Sequence, residues 1–266
     1  MFENRRVAIT GASSGIGRAL ASQFAQRRAR LLLNARRADR LVELAEQLRA
    51  EAADLQIVGG DITDPETRAA MLESARTHWD GLDILVNNAG IGALGPFAQA
   101  GSERMRQVFE TNVFAPIELI RVFLPTLRQS PHARIVNVCS VLGHRGVPGK
   151  SEYCASKFAM HGFSDALRAE LQREGIRVLL VSPSTTESEF FGAVVDGATL
   201  AHREGKGAMS AAAVARATLR AIERNKHEVI LSLGGKCLVW FDRLLPTLAD
   251  WAVARFGQTP SRRGGP

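Results

Sequence analysis

A chain of 266 residues, 45% hydrophobic and 23% charged, carries enough apolar material for one large α/β core or two small domains. Its three cysteines form no CxxC pair or Cys/His cluster, and no run of 18 apolar residues exists, which argues against a disulfide scaffold, a zinc ribbon and a membrane span. The net charge of +7 raises nucleic-acid binding, but no finger, RNP or basic-aromatic pattern accompanies it, so a solvated basic surface is the plainer reading.

In chain order, RRVAIT (5–10) is a short β-branched run that reads as a buried strand, closed by the turn GASSGIG. That turn begins at residue 11, which leaves no room for a signal peptide; with the few cysteines, a cytoplasmic setting is expected. Residues 18–29 have helical spacing. A second strand follows at 30–35 (RLLLNA), and an amphipathic helix at 38–52. The third strand runs into the loop GGDITD, and 65–79 forms a helix opened by Pro65. LDILVNNAG (82–90) is a fourth strand entering a polar loop. Residues 102–130 make one or two helices, with a bend expected at Pro125. ARIVNVCS (133–140) is the fifth strand, 153–175 a long helix stopped by Gly175, and IRVLLVSP (176–183) the sixth strand.

Beyond Pro183 the pattern weakens. Residues 184–208 surround Phe190 and Phe191 with small and polar residues, and read either as a substrate lid or as a surface loop. A helix (210–225) and a seventh strand (EVILSL) come next. A single amphipathic helix over 236–257 and a flexible tail over 258–266 complete the chain. That last helix is rich in Trp, Leu and Phe between Arg and Asp. It suits packing on the domain, covering a cleft, pairing with another subunit, or resting on a bilayer surface.

Strands alternating with helices and no linker predict one doubly wound, Rossmann-type domain over 1–235, with a parallel seven-stranded sheet covered on both faces. Ligands in such sheets sit at the carboxyl ends of strands. The unusual motifs here all follow strands: the glycines, Asp61, NNAG, Ser140 and Pro183. Glycines directly after strand one allow a tight turn and close approach to a pyrophosphate, and the helix that follows offers free amides to phosphate. Gly11, Ser13, Ser14, Gly15, Ile16 and Gly17 are therefore expected around a dinucleotide. About 20 residues further on, a Rossmann site that prefers NAD carries an acidic residue for the ribose hydroxyl. Here the chain reads NARR: Ala35 fills the acidic place, and Arg36, backed by Arg37, suits the 2′-phosphate of NADP(H), with NAD(H) the weaker reading.

Tyr153 is the only tyrosine, and Lys157 stands four residues later on the same face of a predicted helix. An ammonium beside a phenol favours phenolate and brings it toward acid–base work. Ser140 stands 13 positions before Tyr153 at the end of a strand.

The spacing TGASSGIG, followed in order by DITD, NNAG, Asn112, Ser140 and YCASK, resembles the short-chain dehydrogenase/reductase family of about 250 residues. The resemblance implies a reductase or dehydrogenase that interconverts a carbonyl and a secondary alcohol. Tyr153 would act as general acid/base, Ser140 would bind the substrate oxygen, and Lys157 would hold the nicotinamide ribose. Asn112 would hold a water chain to Lys157. It also implies Asp61 and Ile62 at adenine, Asn88, Ala89 and Gly90 along the adenosine ribose, and Pro183 and Thr186 near the nicotinamide. Where the family has Pro-Gly, this chain has Pro183-Ser184, a departure beside the nicotinamide. Leu142, His144, Val147, Ser184, Phe190 and Phe191 are candidates to line a largely apolar substrate pocket, and a homodimer or homotetramer through the helices of Asn112 and Tyr153 is implied. His161 reads as packing or surface, and Cys139 and Cys154 as small packing side chains. A silent nucleotide-binding sensor or scaffold on the same fold is the alternative to an enzyme.

Overall fold

The computed structural model describes residues 1–187, 194–195 and 208–256; the expectations for Phe190, Phe191, most of the 184–208 segment and the tail lie outside the described residues. Seven strands of the described residues make the main sheet: β1 (Arg6–Thr10), β2 (Arg30–Ala35), β3 (Asp54–Gly59), β4 (Ile84–Asn87), β5 (Arg134–Val138), β6 (Arg177–Ser182) and β7 (Glu228–Ile230). They form one parallel sheet in the order β7-β6-β5-β4-β1-β2-β3. The order reverses between β1 and β4, and a crevice opens at such a point at the carboxyl ends of the strands.

The helices are α1 (Gly15–Ala25), α2 (Ala38–Leu48), α3 (Pro65–Trp79), α4 (Ser102–Phe109), α5 (Ala115–Arg128), α6 (Ser151–Leu171), α7 (Ala211–Glu223), α8 (Leu233–Leu244) and α9 (Pro246–Phe256). Two-residue alternation along the strands feeds two cores. Val7, Ile9, Leu31 and Leu33 pack with Leu20, Phe24, Leu41 and Leu219 on one face. Ala8 and Leu32 pack with Met71, Phe123, Leu167 and Leu171 on the other. The seven-stranded doubly wound architecture read from the sequence is the one observed.

Two details differ from expectation. The single helix over 236–257 is two helices. Leu245 leaves the helical region at φ −136, ψ 62, and Pro246 opens the second, because a proline disfavours helical backbone in the residue before it. Residues 102–128 form α4 and α5 joined by a π-helical turn, Glu110–Phe114, while Pro125 is accommodated inside α5. Among the described residues, no helix is long and apolar enough to cross a membrane.

Candidate active site

The turn between β1 and α1 is shaped by glycine. A Cβ on Gly17 would stand 2.2 Å from the Gly11 carbonyl oxygen and 2.5 Å from Asn88 Nδ2, so no side chain fits there. Asn88 Nδ2 donates to the carbonyls of Thr10 and Gly11 at 2.9 and 3.2 Å, locking the NNAG loop to the turn. Ser14 is the N-cap of α1, yet its side chain makes no capping hydrogen bond, which leaves the first-turn amides facing the cleft. Its hydroxyl instead accepts from Arg37 at 2.9 Å, and Arg37 also reaches Ser13 Oγ at 3.2 Å. Arg36 is largely exposed, 3.8 Å from Asp61 Oδ2, while Asp61 Oδ1 accepts from the Thr63 amide and hydroxyl. Free amides, a cradle that a Cβ would fill and two guanidinium groups make a site that fits a dinucleotide.

A cleft of about 1200 Å³ runs from this turn past Ile62 and Asn88–Gly90 to Ser140, Tyr153 and Lys157. Ser140 ends the segment after β5 and caps a short 3₁₀ turn, its Oγ accepting from the Leu142 amide at 3.1 Å. Gly143 lets that turn lie against α6, since a Cβ there would meet the Lys157 carbonyl oxygen at 2.9 Å. In consequence the side chains of Ser140 and Tyr153 share a hydrogen bond. Lys157 is buried, donates from Nζ to the Val138 carbonyl at 3.2 Å, and lies 5.6 Å from the centroid of the Tyr153 ring.

Burial dominates the titration of both groups. It pushes the Tyr153 phenol well above its usual range, against the Ser140 hydrogen bond, and pushes the Lys157 ammonium below its own. In the protein without cofactor, burial thus favours the neutral phenol.

Asn112 sits in the π-helical turn, and its side chain is engaged by protein. Oδ1 accepts from the Ile91 amide at 2.9 Å, and Nδ2 donates to the Ile91 carbonyl and to Ser156 Oγ, each at 3.0 Å. These bonds tie the loop after NNAG to α6, so the observed contacts of the side chain position the site. Asn87 Nδ2 donates to Asn137 Oδ1 at 2.9 Å, which ties β4 to β5. Asn137 in turn donates to Ser164 on α6. Asn137 and Ser164 were not singled out from the sequence; a polar residue in the otherwise apolar strand IVNV was the available signal.

Of the expected lining residues, Leu142, Val147 and Ser184 face the cleft, as do Pro183 and Thr186, expected at the nicotinamide. His144 requires a correction. Its ring turns away from the cleft and is buried against Glu228 and His161, because Glu228 on β7 offers it a carboxylate at 2.7 Å. The far end of the cleft is lined by Ser232, Gly234, Gly235 and Leu238, at the start of α8. Sequence reading allowed a terminal helix to cover the cleft without naming these residues.

A family model for short chain dehydrogenases matches residues 5–198. This chain belongs to the short-chain dehydrogenase/reductase family. Dehydrogenase/reductase SDR family member 7B of Mus musculus is 32% identical over 239 residues, covering 87% of this chain and 74% of that protein. The 3-oxoacyl-(acyl-carrier-protein) reductase FabG of Escherichia coli is 32% identical over 195 residues, covering 73% of this chain and 79% of that protein. Among solved structures, a short-chain dehydrogenase from Sphingobium yanoikuyae in complex with NADPH aligns with TM-score 0.78 at 32% identity, covering 97% and 99% of the two chains. A Burkholderia phymatum member in complex with NAD aligns with TM-score 0.84 at 25% identity, covering 98% of each. Members of this family solved with either nicotinamide cofactor therefore share this fold. The short-chain dehydrogenase/reductase described here carries the glycine turn, NNAG, serine and YxxxK elements in one continuous cleft.

Proposed function

We propose that this chain is an NADP(H)-dependent reductase that interconverts a hydrophobic ketone and its secondary alcohol. The observation that carries the reading is the Ser140–Tyr153 hydrogen bond above buried Lys157, in the same cleft as the uncapped α1 terminus. Bound nicotinamide supplies or accepts the hydride. The chain does the rest. Ser140 holds the carbonyl oxygen and stabilises the charge developing there. Tyr153, kept protonated by burial, donates its proton to that oxygen. Lys157 sets a positive field beneath the phenol and binds ribose hydroxyls. Asn112 and Ser156 keep α6 in register with the loop at Ile91.

Cofactor choice rests on the end of β2. Ala35 is buried where a carboxylate would accept the ribose hydroxyl, and two arginines follow it. Arg37 is anchored on Ser13 and Ser14, and Arg36 has the exposed guanidinium that can grip a 2′-phosphate. Adenine is assigned to Asp61 and Ile62, its ribose to Asn88, Ala89 and Gly90, and the nicotinamide to Pro183 and Thr186. The substrate end is apolar at Leu142, Val147 and Leu238, which supports a hydrophobic carbonyl. We further assign a homo-oligomeric state through the helices of Asn112 and Tyr153, where Phe114 and Phe158 are exposed. Trp240, Leu244, Leu248 and Trp251 leave an apolar face on α8 and α9 that supports a second, peripheral membrane contact.

The test is a panel of hydrophobic ketones with NADPH, followed by absorbance. Wild type should turn over at least one of them, and Tyr153→Phe should lose on the order of 10²–10⁴-fold in rate while still binding NADPH. A wild type that binds NADPH but never outpaces the variant on any carbonyl would leave only a nucleotide-binding protein.

A further inference from the structure

On the flank of the active site away from the cleft, three side chains from distant parts of the chain converge. His144 lies four residues after Ser140, on the turn that Ser140 caps. His161 lies eight residues after Tyr153 on α6, and Glu228 opens β7 at the sheet edge. One ligating atom from each falls within 4.8 Å of the others. Glu228 Oε1 stands 2.7 Å from His144 Nε2 and 3.9 Å from His161 Nε2. The two imidazole rings lie with centroids 4.4 Å apart and planes inclined at 58°. Tetrahedral zinc with bonds of about 2.0–2.2 Å separates its ligand atoms by about 3.3 Å, a spacing that lies between these two separations.

We propose that His144, His161 and Glu228 bind a divalent zinc-class cation. Two imidazoles and one carboxylate form a donor set that suits zinc and leaves a fourth position for water. His144 is buried, while His161 and Glu228 are part-exposed, with side-chain accessibilities of 19% and 28%, so the ion has a route in and a wet face. Ser182 Oγ donates to Glu228 Oε1 at 3.2 Å and orients the carboxylate from behind. Asp165 Oδ2, 3.8 Å from His161 Nε2, adds negative charge at the exposed side, though its Oδ1 is held by Arg168 at 2.7 Å. Arg243 is the opposing positive charge near His161. Two imidazoles packed this closely gain little from each other in the metal-free protein, since protonating both sets like charges together. A shared cation turns that contact into a cross-link.

The cross-link has a structural consequence. It joins the turn that carries Ser140 to the helix that carries Tyr153, and both to β7. The metal is a clamp on the relative position of the two catalytic side chains and takes no part in proton or hydride transfer.

The experiment uses the full chain in a Cys237→Ser background, which removes the exposed thiol as a competing ligand. Chelator-treated protein is titrated with Co²⁺ and then Zn²⁺. Expected are visible cobalt absorption that saturates at one equivalent, its loss on zinc addition, and a rise in melting temperature with zinc. His161→Ala and Glu228→Gln should each lose the saturable absorption and the thermal shift, with a helical circular dichroism spectrum to show that they fold. Tyr153→Phe should keep both signals, so this proposal and the catalytic reading fail separately. No saturable cobalt signal in the parent, or an equal signal in folded His161→Ala, overturns the site.

Discussion

Around Tyr153, the proposed proton donor, burial outweighs charge. The phenol is raised by desolvation although Lys157 is close, and Lys157 is itself depressed by the same burial. A proton donor whose folded-state value lies above the usual phenol range stays protonated until the medium is strongly alkaline. Reduction of a ketone by NADPH, measured as kcat/KM, should therefore hold level up to about pH 9 and fall only beyond it. A fall that begins near neutrality would assign the acid to another group. At the cofactor end, the two arginines divide the work. Arg36→Ala should raise the Kd for NADPH by roughly tenfold, a charge-assisted contact of about 1.5 kcal/mol, and leave NADH nearly unchanged. Arg37→Ala should weaken both cofactors, because it also frees Ser13 and Ser14 from their anchor. Equal losses of NADPH and NADH in Arg36→Ala, read by fluorescence titration, would remove the 2′-phosphate assignment.

Among the elements, α4 and α6 are joined by a buried ion pair beside Tyr153. Arg104 gives Nε and Nη2 to Glu152 Oε1 at 3.0 and 2.6 Å, with both side chains almost wholly buried, and Nη1 to the Leu94 carbonyl at 3.2 Å. Glu152 precedes Tyr153, so the pair fixes where α6 begins. Removing one partner leaves a charge in the core. Glu152→Ala should cost about 3–5 kcal/mol in urea unfolding, whereas replacing both residues by apolar ones should cost far less. A single-variant loss near zero would mean that water reaches the pair. The π-helical turn between α4 and α5 is a second device at this scale. It turns Asn112 inward to bridge Ile91 and Ser156, a connection between loop and helix that a regular helix of the same sequence would aim elsewhere.

For the whole molecule, two groups of exposed apolar residues matter among those described. Phe114 and Phe158, 51% and 44% exposed, lie on the π-helical turn before α5 and on α6. Trp240, Leu244, Leu248 and Trp251 lie on α8 and α9, which Arg145 pins to the turn after Ser140 through Asp242 and Asp250. Such patches are covered in solution or by another surface. The first group predicts a dimer by light scattering at micromolar protein, converted to monomer by Phe158→Glu with the fold retained. A wild-type monomer across that range would leave α6 as an ordinary wet surface.

The alternation of strands and helices, the placement of each motif at a strand end, and hence a parallel doubly wound sheet with a dinucleotide turn were legible in the residues alone. Those features depend on local periodicity, on glycine where a side chain would collide, and on the order of motifs along the chain. Gly17 against Gly11 and Lys157 one helical turn after Tyr153 were legible because their meaning is set by near neighbours or fixed spacing. Tertiary structure alone decided which way His144 points, since its partner Glu228 is 84 residues away, and it set the direction of the Tyr153 shift, since desolvation depends on what covers the ring. It also decided that Asn112 is spent on Ile91 and Ser156, and that the start of α8 closes the far end of the cleft. Burial and long-range hydrogen bonds exist only once the chain has brought distant residues together, and no local pattern in the sequence encodes them.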